Sequence, residues 1–123
     1  METTLQIILG IIALICFLGG VNLLTKGAQY FLPKETPPQI ILDNVLRFLS
    51  GIYLGMGFLC SWAVIKIAEI NDLVYLLGII VLFSGLGRLY SRIKTGSGNA
   101  YLTFAMLLEF ILAASLILLQ YFR

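Results

Sequence analysis

After Glu2 the chain meets no charged residue until Lys26, and the stretch 5–24 is apolar almost throughout. A helix over those residues, rising roughly 1.5 Å per residue, is about as long as the hydrocarbon core of a bilayer is thick. Three more stretches of the same kind follow, at about 41–67, 73–90 and 101–121. The expected fold is therefore all-α, an integral membrane four-helix transmembrane bundle forming a single domain over 1–123. Composition agrees, because 60% of the residues are hydrophobic and 11% are charged. A water-soluble domain so composed would expose large apolar patches.

The connections are short. The longest, 26–39, carries Pro33, Pro37 and Pro38 with Lys34 and Glu35, a composition that cannot form regular helix in lipid. A polar segment over 66–72 turns the chain, and 91–99 holds Arg92, Lys94, Gly96 and Gly98. The opening residues lack the basic start of a secretory signal, so the first apolar stretch reads as a membrane helix. Loops one and three with their flanks contain Lys26, Lys34, Arg47, Arg88, Arg92 and Lys94, against Lys66 and Arg123 elsewhere. The positive-inside rule then favours both termini outside. With Arg47 and Arg88 set aside as site residues, the bias shrinks to four against two.

Several chemistries have little support. Histidine is absent, and Cys16 and Cys60 each lie alone in an apolar segment, so neither a metal site nor a cofactor is expected. The formal charge of +2 is scattered, without the basic run that marks nucleic-acid binding. Trp62, Tyr53, Tyr75 and Tyr90 read as packing or interface anchors.

Lipid makes polar side chains expensive, so those near or within the spans point to a site or a clasp. Asn44, Arg47, Arg88 and Glu109 form the candidate cluster, with Asn22, Asp43, Ser84 and Ser91 as associates. Counted along their helices, the four fall on the side of loops one and three. Asn44, Arg47, Gly51 and Gly55 share one stripe, as do Ala105, Glu109 and Ala113, and Ser84, Gly85 and Arg88. Small residues beside charges predict that these stripes face other helices. Glu109 can pair with Arg47, Arg88 or both. In the structural reading the cluster is a clasp in which nothing binds. In the functional reading two arginines exceed one carboxylate and leave positive charge for an anion, unless Asp43 cancels it.

The segments Asn44-x-x-Arg47-Phe48-x-x-Gly51-x-x-x-Gly55 and Gly85-x-Gly87-Arg88-x-x-Ser91, followed by Gly96 and Glu109, span most of the chain. In these residues it resembles a family of small four-span bacterial membrane proteins of unknown function, related in outline to the DoxX-like proteins. The family pattern carries a proline soon after the third-loop glycine, where this chain has Ser97 after Gly96. The resemblance implies the bacterial inner membrane and names no substrate.

The expected function is a non-enzymatic membrane protein whose cluster binds a lipid headgroup or a small amphiphile and supports the cell envelope. A proton-coupled exporter of the small multidrug type is a second expectation. It is disfavoured because Glu109 lies in the fourth helix, with arginines at hand to hold it ionised. An accessory subunit, or a homo-oligomer packed through its glycine stripes, is a third. An intramembrane enzyme would need an activated nucleophile or metal ligands that the chain does not offer.

Overall fold

The computed structural model describes residues 1–123, which form helices joined by short turns, with no strand. Helices α1 (Glu2–Lys26), α2 (Ile40–Ile65), α3 (Asp72–Thr95) and α4 (Ala100–Phe122) are each long and apolar enough to cross a membrane. Even α4, the shortest at 23 residues, reaches about 35 Å at 1.5 Å per residue. The all-α transmembrane class expected from the sequence is what the chain forms.

The largest departure from the expected spans is at the end of α3, which continues past Tyr90 to Thr95. Nothing in 91–95 breaks a helix, Thr95 Oγ1 donates to the Ser91 carbonyl at 2.7 Å, and Arg92 and Lys94 sit in the last turn, where cations complement the helix dipole. The helix stops at Gly96, whose φ of 107° suits only glycine and whose N–H donates to the Arg92 carbonyl at 3.0 Å. At the start of α4 the Asn99 side chain accepts the Leu102 N–H at 3.0 Å, closing the helix N-terminus.

The chain divides into two compact units, Gly10–Trp62 on one hand and Met1–Leu9 with Ala63–Arg123 on the other. Within the first, α1 meets α2 through Phe17 and Phe58, whose rings stand edge to face with centroids 5.0 Å apart. Gly20 and Gly57 let the backbones approach, because a Cβ on Gly20 would stand 2.9 Å from Leu54 Cγ and one on Gly57 3.0 Å from the Phe17 ring. Ser50, fully buried, returns its hydroxyl to the Arg47 carbonyl.

In the second unit α3 and α4 form an antiparallel hairpin around Val74, Leu77, Ala113 and Leu116, all fully buried. Gly78 admits Ile117, and Gly85 lies against the Phe110 ring. Leu5 and Leu9 of α1 are fully buried, and Gln6 Nε2 donates to the Val64 carbonyl at 2.9 Å. The turn after α2 leaves carbonyls without helical donors, a costly state near lipid. Arg123 supplies donors, bonding the Ile67 carbonyl at 2.9 Å, the Ile70 carbonyl, and Asn71 Oδ1 at 3.1 Å. Large apolar side chains remain exposed along all four helices, as a lipid-facing surface requires.

Candidate functional site

On the α3–α4 hairpin, Arg88 Nε donates to Glu109 Oε1 at 2.8 Å. Gly85, one turn before Arg88, and Ala113, one turn after Glu109, are buried and bring the two helices close enough for this contact. The side chains of Arg88 and Glu109 are 34% and 19% exposed, while Glu109 Oε2 is buried with no hydrogen-bond partner. Arg92 follows Arg88 by four residues and shares its face. Its guanidinium donates to Thr103 Oγ1, and no carboxylate lies within ion-pair reach of it. Two cations thus stand one helical turn apart, and one carboxylate, Glu109, pairs with the first of them. Beside them lies a cleft of about 90 Å³ lined by Arg88, Ser91, Arg92, Gly96, Ser97 and Leu102. That is the room of about three water molecules.

The first unit holds a different arrangement, at the corner between α1 and α2. Gly27, with φ of 63° and ψ of −162°, turns the chain so that the Ala28 N–H donates to Asp43 Oδ1 at 3.0 Å. Arg47 Nε reaches Asp43 Oδ2 at 2.9 Å, so both carboxylate oxygens are occupied. A Cβ on Gly27 would collide with Asp43 Oδ1 and stand 2.6 Å from Arg47 Nη2, which makes this corner specific for glycine in both conformation and space. Next to it opens a cleft of about 560 Å³ whose lining includes Gln29, Pro38, Gln39, Asn44 and Phe48. Neither place gathers three His, Cys, Asp or Glu side chains, so neither resembles a metal centre.

The model of a family described as a domain of unknown function, DUF4345, matches residues 4–120. The chain belongs to this family. No curated protein and no solved structure matches it. The DUF4345 region takes in all four helices, so the hairpin cleft and the glycine corner both lie inside the family's domain.

Within this DUF4345 fold the expected cluster is rearranged. Arg88 takes Glu109 as its carboxylate, and Arg47 takes Asp43. Asp43 precedes Arg47 by four residues on α2, so that pair closes within one turn and cancels the positive surplus expected at Arg47. The expectation of a buried cluster needs correction too. The Arg47 side chain is 45% exposed and Asn44 is exposed, because the stripe they share with Gly51 and Gly55 is not the one that meets α1. Asn22 is likewise exposed on α1, and Ser84 is exposed and bonds back to the Ile80 carbonyl instead of assisting Arg88. Ser91 lines the hairpin cleft.

Of the expected packing residues, Gly85 and Ala113 are buried and Ala105 is half-buried. Gly51 and Gly55 are exposed, and a Cβ on either would meet open space. The contact between α1 and α2 runs instead along Ser50, Leu54 and Gly57, a stripe one residue round the helix. Arg92, Ser97 and Thr103 were not among the expected site residues, although the spacing of Arg92 four residues after Arg88 was a usable signal once α3 is continued to Gly96.

Proposed function

We propose that the chain is a non-enzymatic, multi-pass protein of the bacterial inner membrane that holds an anionic lipid headgroup in the α3–α4 cleft and supports the envelope in that role. The observation that carries the reading is Arg92, a guanidinium with no carboxylate partner, lining one small cleft with Arg88 and the hydroxyls of Ser91 and Ser97. Glu109 offsets one of the two charges, so the cleft retains a net positive charge to meet a phosphate oxyanion. Arg92 lies in the last turn of α3, at the depth of lipid headgroups, and Arg88 stands one turn deeper. The Arg88–Glu109 pair also argues against proton-coupled cation export, since the carboxylate of α4 is engaged by a cation of the chain itself.

Native mass spectrometry tests this after extraction from nanodiscs that mix phosphatidylglycerol with phosphatidylcholine. Wild type should retain phosphatidylglycerol selectively, and Arg92→Gln should lose that selectivity while remaining folded. Equal retention of both lipids by wild type, or undiminished selectivity in the variant, would sink the proposal. A second reading, a subunit that packs on another helix, is favoured by the exposed Gly51 and Gly55. Blue-native electrophoresis of Gly51→Leu beside wild type separates the two, because only packing through this stripe changes the assembly size.

A further inference from the structure

The larger cleft differs from the hairpin cleft in its chemistry. Its volume of about 560 Å³ falls in the range of small-molecule sites. It carries no net charge, because the Asp43 carboxylate has one oxygen on the Ala28 N–H and the other on Arg47. Neither a phosphate nor an ammonium finds an unmatched charge there. What the cleft offers is amides. Gln29 Nε2 donates to the Thr36 carbonyl at 3.2 Å and Gln39 Nε2 to the Pro37 carbonyl at 3.0 Å, which leaves the amide oxygens of both side chains to accept. The Asn44 amide makes no hydrogen bond within the chain, so its donor and acceptor are both available. Pro38 and Phe48 supply an apolar wall and an aromatic ring.

Neutral acceptors, a free amide and an aromatic ring suit a group that is itself neutral and carries several hydroxyls. The cleft lies at the head of α2, whose 26 residues reach about 39 Å and so extend beyond a hydrocarbon core of about 30 Å. A hydroxyl-bearing headgroup rests at that depth while its chains run inward along α2 beside Phe48 and Ile52, both exposed. We infer that this cleft is a second lipid site, selective for neutral, polyhydroxylated headgroups such as that of a glycosyl-diacylglycerol, and that it works independently of the arginine cleft.

Hydrogen–deuterium exchange of the full chain in phosphatidylcholine nanodiscs, with and without monoglucosyl-diacylglycerol, tests the inference over residues 27–40. Exchange there should slow about fivefold at four times the half-saturating mole fraction. Asn44→Leu should abolish the slowing while leaving the circular dichroism spectrum unchanged. Arg92→Gln should retain it. No slowing with the glycolipid, or equal slowing with phosphatidylglycerol, overturns the assignment. Equal slowing by soluble methyl glucoside overturns the lipid source, and loss of the effect in Arg92→Gln overturns the independence of the two sites. Phosphatidylglycerol selectivity is read separately, so failure of the arginine reading leaves this experiment interpretable.

Discussion

Replacing Arg88 by Gln should destabilise the hairpin more than replacing Arg88 and Glu109 together. In wild type one carboxylate oxygen, Oε1, receives the Arg88 Nε at 2.8 Å, while Oε2 is already buried without a donor. Removing the arginine takes away the cation and leaves a largely covered carboxylate. A charge-assisted hydrogen bond contributes about 1.5–3 kcal/mol, and a stranded buried charge costs more than the bond it has lost. Because the Arg88 side chain is 34% exposed and partly screened, a loss of about 2 kcal/mol is expected for Arg88→Gln. Glu109→Gln should lose about 1 kcal/mol, since the long arginine can turn its head toward water and headgroups. The double variant, with no charge left to strand, should also lose about 1 kcal/mol, giving a coupling of about 2 kcal/mol. The assay is equilibrium unfolding in mixed micelles of dodecyl sulfate and a mild detergent, followed by near-ultraviolet circular dichroism. A double variant whose loss equals the sum of the two single losses would refute the reasoning, because the pair would then contribute nothing as a pair.

Three further outcomes follow from the geometry. Gly27→Ala should lose about 1–3 kcal/mol through backbone strain alone, because a φ of 63° with a ψ of −162° lies in a region reserved for glycine, and hydrogen exchange at Ala28 should accelerate as its bond to Asp43 opens. Asn99→Ala removes the cap of α4 and should lower stability by about 1 kcal/mol, seen as a lower unfolding midpoint with α3 unaffected. Arg123→Ala removes the donors to the Ile67 and Ile70 carbonyls, so limited proteolysis should cut 66–71 faster while the α3–α4 link keeps its wild-type rate.

Much of the fold was legible because the membrane allows few solutions. Long apolar runs, each broken by few charges, set the number of helices, and proline-rich or polar breaks placed the turns to within a few residues at most ends. The exception, α3, shows the limit of reading charge as an end-of-helix signal. Arg92 and Lys94 look like loop residues by hydropathy, yet they stand in a continuing helix whose stop is the backbone of Gly96. The polar cluster was legible in its parts and not in its pairing. Asp43 and Arg47 are obvious i, i+4 partners, but only the turn at Gly27, which brings the Ala28 N–H onto the same carboxylate, shows how fully Asp43 is committed. The stripe of Gly51 and Gly55 resembles a packing seam in one dimension, and the contact with α1 runs one residue away from it.

The short link over 96–99 also bears on how the protein enters a membrane. A lone α4 would have to partition with Glu109 bare, at a cost of about 2.5–3.5 kcal/mol for an acidic residue near a helix centre. Arg88 is made 21 residues earlier, on a helix that the link holds beside α4. The two charges can therefore be matched while the nascent pair is still at the translocon, so that the last two helices leave for the bilayer as one object. In vitro translation with glycosylation tags at either end of α4 should show efficient insertion when α3 precedes it, and leakage when α3 carries Arg88→Gln.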